Sequence, residues 1–146
     1  MSGAADRVLA IATQYATERV QFGRSISAFQ AIQHMLAELS TYAAAIGATA
    51  RAAARDAEEG NGSFAIMAAK TQAGEAAHKI CAIAHQSMGA MGFTYEHVLH
   101  HYTRRLWVCR RDYGSEAHWG AKLGRALAEA GADALWPSLT ASKVAA

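Results

Sequence analysis

The chain has 146 residues, 52% of them hydrophobic and 18% charged, which supplies one core and leaves too little length for two domains. Fourteen Lys and Arg against twelve Asp and Glu give a net charge of +2 with the seven histidines neutral, excluding the large basic excess of a dedicated nucleic-acid binder. No run reaches the length of a membrane span, Asp6 and Arg7 stand where a signal peptide needs apolar residues, and Cys81 and Cys109 match no metal or redox spacing, so a soluble cytoplasmic protein with reduced thiols is expected.

Proline occurs once, at Pro137, and alanine dominates, so nothing forbids helix as far as about Trp136. Breaks come from glycine and capping residues at 23–27, 60–63, 89–94 and 112–115, which divides the chain into five helices. The first, about Gly3 to Phe22, aligns Val8, Ile11 or Ala12, and Tyr15. In the second, about Ser27 to Glu58, Phe29, Ile32, Leu36, Leu39, Ala43, Ile46 and Ala50 recur at alternating steps of three and four and make a core seam. The third, about Ser63 to Met88, starts on Ser63 as N-cap and carries the small stripe Ile66, Ala69, Ala73, Ala77, Ile80 and Ala84, which lets a neighbouring helix approach closely. The fourth, about Tyr95 to Arg111, aligns Leu99, Tyr102, Leu106 and Cys109. The fifth, about Ser115 to Ala130, presents Trp119, Leu123 and Leu127 and stops at Gly131. The pattern predicts an all-α, antiparallel four-helix-bundle-like domain over residues 1–136 with a fifth C-terminal helix, then a tail over 137–146, loosely ordered from Asp133.

Two segments could carry chemistry on physical grounds. In Gln86-Ser87-Met88-Gly89-Ala90-Met91-Gly92-Phe93-Thr94, glycines leave backbone N–H groups unshielded and Thr94 can cap the next helix, so the stretch serves either as a phosphate-binding turn or as an ordinary helix connection. At Arg19-Val20-Gln21-Phe22-Gly23, the arginine complements a helix C-terminus and Phe22 can staple the turn without any ligand.

These segments, with Tyr15-Ala16-Thr17-Glu18 before them and Phe29-Gln30-Ala31-Ile32-Gln33-His34 after, resemble the C-terminal helical domain of the acyl-CoA dehydrogenases. The resemblance runs from Gly3 to about Ser115 and implies FAD as cofactor and acyl-CoA as substrate. It implies that Arg19 meets the cofactor's phosphates and Phe22 its flavin region in a neighbouring subunit, with Gln21 and Gln30 as further contacts. Gln86, Gly89 and Ala90 resemble the family's Gln-x-x-Gly-Gly-x-Gly-Phe segment, which lines the flavin diphosphate in a partner subunit, Ala90 standing for its second glycine. The family's Tyr-Glu-Gly-Thr stretch falls on Asp112-Tyr113-Gly114-Ser115, so Tyr113 takes the place of the glutamate that removes the α-proton, and Ser115 keeps a hydroxyl for the flavin. A tyrosine with an ordinary pKa near 10 is a poor base at neutral pH. Tyr113 then reads as a pocket wall, Asp112 and Glu116 as flanking candidates for the base.

The resemblance further implies that the chain is one part of an enzyme, inactive alone, whose β-domain and N-terminal helical domain hold most of the flavin and thioester. The missing glutamate then comes from an upstream turn of the first helix or from a different, base-bearing subunit, as in heteromeric members acting on steroid side chains. A homo- or hetero-oligomer, dimer or tetramer, is expected. The alternative is a helical oligomerisation or interaction module without activity. His97, His100 and His101 place two imidazoles a turn apart, a spacing shared by metal or heme sites and by polar helix faces, but no further ligand joins them, and no metal is assigned. Arg104, Arg105, Arg110 and Arg111 around Leu106-Trp107 read as a solvated helix face rather than a nucleic-acid surface.

Overall fold

The computed structural model describes residues 1–60 and 63–140. Alanine-rich sequence with apolar residues at helical spacing winds into α1 (Ser2–Glu18), which buries Ala5, Val8, Ile11, Ala12 and Ala16. This helix stops four residues short of its expected end at Phe22. Val20–Gln21 (β1) and Arg24–Ser25 (β2) instead pair antiparallel in a hairpin, with Val20 opposite Ser25 and Gln21 opposite Arg24. The two central residues, Phe22 at φ 53° and Gly23 at φ 77°, both lie in the left-handed region, as a type I′ turn requires. The Ser25 hydroxyl donates to the Ala16 carbonyl at 2.8 Å and ties the hairpin back to α1.

A 3₁₀ turn over Ile26–Ala28 leads into α2 (Gln30–Glu58), which therefore begins three residues later than Ser27. Of its seam, Leu39, Ala43 and Ile46 are fully buried, while Phe29, Ile32, Leu36 and Ala50 are half-buried toward the ends. The third helix, α3 (Ser63–Met88), packs more extensively on α2 than any other pair of helices does. Its buried Ala73, Gly74, Ala76, Ala77 and Ala84 permit that approach, whereas Ile66, placed on the same stripe, is 40% exposed. Residues 61 and 62 of the expected break lie outside the described residues.

The expected fourth helix loses its first turn. A 3₁₀ turn spans Gly89–Phe93, and Thr94 closes it through its backbone N–H and its hydroxyl, both donated to the Met91 carbonyl. Helix α4 (Leu99–Arg111) starts only at Leu99, whose N–H donates to His97 Nδ1 at 3.2 Å, so His97 and not Thr94 supplies the side-chain acceptor there. It runs antiparallel to α3: Cys81 and His85 meet Thr103, His78 meets Trp107, and Lys70 meets Cys109. After α4, α5 (Glu116–Ala130) lies on α3, buries no residue fully, and ends at Gly131 with φ 85°. The segment expected to be loose from Asp133 is helical as α6 (Ala132–Thr140), packed on α5, with Pro137 inside it. Residues 141–146 lie outside the described residues.

The four antiparallel helices α1 to α4 enclose the core, in which Val8, Leu39, Ile46, Ile80, Leu99 and Leu106 are fully buried. Each such side chain contributes roughly 1.5–3 kcal/mol by leaving water. Among the described residues no helix is long and apolar enough to cross a membrane.

Candidate functional site

The antiparallel path sends the candidate residues to two ends of the bundle. At the first end stand the hairpin, the start of α2 and the turn after α3, held together where Tyr15 meets the edge of His97 at 6.1 Å. Arg19 is the C-cap of α1, with extended backbone and an exposed side chain. Gln21, Gln30 and Gln86 are exposed, and Gln21 Nε2 donates to the carbonyl of Val20. Phe22 is 91% exposed even though its ring meets Phe29 edge-on at 5.9 Å, because the left-handed turn throws its side chain outward. Arg24 covers the other ring, its guanidinium 4.3 Å from the Phe29 centroid.

The glycine turn completes this end. Gly89 has φ 59°, and a Cβ there would meet nothing within 4 Å, so its backbone is open to an approaching group. Ala90 is exposed, so its methyl obstructs nothing in this chain. Gly92 differs: a Cβ would come within 3.2 Å of the His85 carbonyl and the Met88 Cβ, which makes glycine the residue that lets the turn lie on the end of α3. Phe93, 72% exposed, stacks on His85 with centroids 4.8 Å apart. One end thus gathers an exposed guanidinium, three exposed amides, an exposed ring and open backbone. Such a set can meet the phosphates and the flat ring of a dinucleotide cofactor.

At the second end, Lys70 donates to the carbonyl of Cys109 at 2.6 Å and satisfies the C-terminus of α4, where a cation also opposes the helix dipole. The turn that follows is strained. Tyr113 has φ 59°, an uncommon conformation for a bulky residue, and is 94% exposed. The Trp119 indole N–H donates to its carbonyl at 2.8 Å. Ser115 caps α5 by accepting from the His118 N–H, which leaves its own hydroxyl proton free to donate. Asp112 and Tyr113 line a cleft of about 350 Å³ with Ile66, Lys70, Arg105 and Trp119.

The two flanking carboxylates are not equivalent. Glu116 forms an ion pair with Arg110, and the hydrogen bond from Arg110 holds its carboxyl below the usual range, so it is a weaker base than an ordinary glutamate. Gly74 makes room for it: a Cβ there would lie 2.6 Å from Glu116 Cβ. Asp112 is exposed on the cleft. Elsewhere, His100 bonds the His97 carbonyl through Nδ1 and its ring lies 4.0 Å from that of His101, and no group of three metal-ligating side chains forms among the described residues. Burial pushes the Cys81 thiol up to about 12.

Helix α4 has 13 residues, so about 20 Å of axial rise separates the first end from the second. Arg19, Gln21, Phe22, Gln30, Gln86, Gly89 and Ala90 therefore come together, and Asp112, Tyr113, Ser115 and Glu116 form a separate group. Lys70, Gly74, Arg110 and Trp119 organise the second group and were not singled out from the sequence for that role. Only the adjacency of Arg110 to the motif offered a signal, since the others act from 39 or more residues away or through a helix docking.

The sequence and structure match known proteins along most of their length. Residues 1–127 match the model of the acyl-CoA dehydrogenase C-terminal domain. The acyl-CoA dehydrogenase IpdE2 of Mycobacterium tuberculosis is 39% identical over 103 residues, 70% of this chain and 31% of that protein. The fold superposes on the ChsE4-ChsE5 complex of Mycobacterium tuberculosis with TM-score 0.85 and 27% identity, over 90% of this chain and 36% of that one. It also superposes on the steroid ACAD Tcur3481-Tcur3483 with TM-score 0.83 and 28% identity, over 88% of this chain and 36% of that one. The chain thus spans about a third of the length of these relatives. Its helical order, its matched residues and its relatives agree: the chain belongs to the acyl-CoA dehydrogenase family and corresponds to its C-terminal domain.

Proposed function

We propose that this domain serves an FAD-dependent α,β-dehydrogenation of an acyl-CoA thioester, and that its two ends serve two different cofactor sites of an oligomer. The observation that carries this reading is the separation of the two groups by the length of α4, about 20 Å. At the first end, Arg19 and the open backbone of Gly89 suit the cofactor's phosphates, Gln21, Gln30 and Gln86 supply amides, and Phe22 suits the flavin ring, all offered to a neighbouring subunit. At the second end, Ser115 has a hydroxyl proton to donate to the flavin, and Tyr113 walls the acyl cleft. When bound, FAD would supply the hydride acceptor.

The α-proton needs a carboxylate that neither Tyr113 nor the Arg110-paired Glu116 provides. We assign the base to Asp112, the exposed carboxylate on the cleft, or to a group outside the turn, in a segment beyond this domain or on a different subunit. Support comes from two similar structures that each carry a paired protein name, one of them a steroid enzyme, which favours a hetero-oligomer and a lipid or steroid acyl substrate. Titrating FAD into the purified chain tests the reading. Weak or absent binding is expected; tight binding of one FAD per isolated monomer would overturn it, because one chain would then hold a complete site. Light scattering supplies a second arm: self-association through the exposed Phe22, Phe93 and Tyr95 is expected, and a strictly monomeric chain would point to a finished interaction module instead.

A further inference from the structure

We propose that Trp119 is a positioning residue for position 113. Its indole N–H is what keeps Tyr113 in its left-handed conformation at the edge of the cleft. The proposal rests on the reading above only in taking position 113 as the ligand-facing member of the turn.

Three observations converge on it. Tyr113 and Phe22 are the non-glycine residues with positive φ among the described residues, so the turn holds a conformation that a tyrosine disfavours and needs something to hold it. The hydrogen bond from Trp119 Nε1 to the Tyr113 carbonyl, 2.8 Å long, spans six residues and crosses from α5 to the turn, so it links the turn to a helix that is itself seated on α3. Gly114, at φ 101°, has no room for a side chain: a Cβ would stand 2.8 Å from that same indole nitrogen and 3.0 Å from the His118 ring. Glycine at 114 and tryptophan at 119 are two halves of one contact.

The seating of α5 explains why the indole can act as a fixed arm. Gly74 admits the Glu116 side chain, and Gly120 lies against the Thr71 methyl, where an added Cβ would sit 3.5 Å away. Lys122 reaches over the ring of Trp119 at 5.1 Å from its centroid. Trp119 lines both the cleft that Tyr113 borders and an adjoining groove of about 510 Å³ between α3 and α5, and so forms the partition between them. A residue in that position cannot turn without moving the carbonyl it holds.

The hydrogen bond and the packing can be tested apart in the whole chain. Replacing Trp119 with the isosteric 3-benzothienylalanine keeps ring size and removes the N–H, and Trp119→Phe removes both the N–H and part of the ring. Left-handed Tyr113 should give a strong intraresidue amide to α-proton Overhauser effect in the native chain. Both variants are expected to lose it while keeping the helical circular dichroism and losing no more than about 5 °C of melting temperature. An unchanged Tyr113 signal in the benzothienyl variant would overturn the proposal and leave Trp119 a packing residue. Should Trp119→Phe fail to fold, the benzothienyl variant still decides. Because this measurement involves no flavin, it can fail while the cofactor reading stands, and the reverse.

Discussion

The two ends of the bundle solve the same backbone problem in different ways. Each displays a nearly fully exposed aromatic residue in the left-handed region followed by glycine: Phe22-Gly23 at one end and Tyr113-Gly114 at the other. The first turn is held by its own ladder, with Val20 opposite Ser25, and needs little beyond residues within ten positions. The second is held from a distance, by Trp119 on α5 and by Lys70 on α3 at the end of the helix that delivers it. A hairpin sets its own geometry; a turn between two docked helices inherits its geometry from the docking.

The comparison breaks first at Gly74. Gly74→Ala would drive a methyl into Glu116, lift α5 from α3 and cost about 1–3 kcal/mol. Amide exchange should then accelerate through residues 112–120 with little change in the hairpin; equal acceleration at both ends would show that they are not independently held. Lys70→Met comes next. It leaves the α4 carbonyls without their cation and costs about 1–2 kcal/mol in chemical denaturation, with fraying confined to the last turn of α4.

Phe22→Asn sharpens the contrast with an opposite sign. Asparagine followed by glycine suits a type I′ turn, so the chain should gain about 0.5–1 kcal/mol in urea unfolding while losing its part of any cofactor contact. A loss of stability would mean that the edge contact with Phe29 outweighs the turn preference. The smallest effect belongs to Glu116. Its folded carboxyl lies below its ordinary value of 4.5, so its pairing with Arg110 stabilises the fold above that pH and stops doing so as pH falls through the lower, folded value. The melting temperatures of the native chain and Glu116→Gln should therefore differ near pH 6 and converge as acid is added; a constant gap would remove the ion pair from the account.

Most of the fold was legible because the helical spacing of Leu39, Ala43, Ile46, Ala73, Ala77, Ile80 and Leu106 coincides with burial. Helix ends were less so. Alanine-rich sequence hid the stop after Glu18, since Val20 and Gln21 can continue a helix until pairing with Arg24 and Ser25 is considered. The start of α4 slipped for a related reason: Thr94 resembles an N-cap, but its hydroxyl closes the preceding 3₁₀ turn. The helix over Ala132–Thr140 was missed because Gly131 was read as the end of helical order and the segment from Asp133 as a loose terminus. At the candidate site, contiguous motifs carried Arg19, Phe22 and Gly89. The Lys70 to Cys109 and Gly74 to Glu116 contacts span 39 and 42 residues, distances over which one sequence carries no pairing signal.

The burial of Cys81 has a consequence for measuring these motions. Its thiol donates to the Thr103 carbonyl across the α3–α4 seam, is 3% exposed, and is pushed up to about 12 by burial. A thiol reagent can reach it only when the two helices part. With the half-buried Cys109 replaced, the labelling rate of Cys81 is therefore a clock for seam opening, timed nearer the first end than the second.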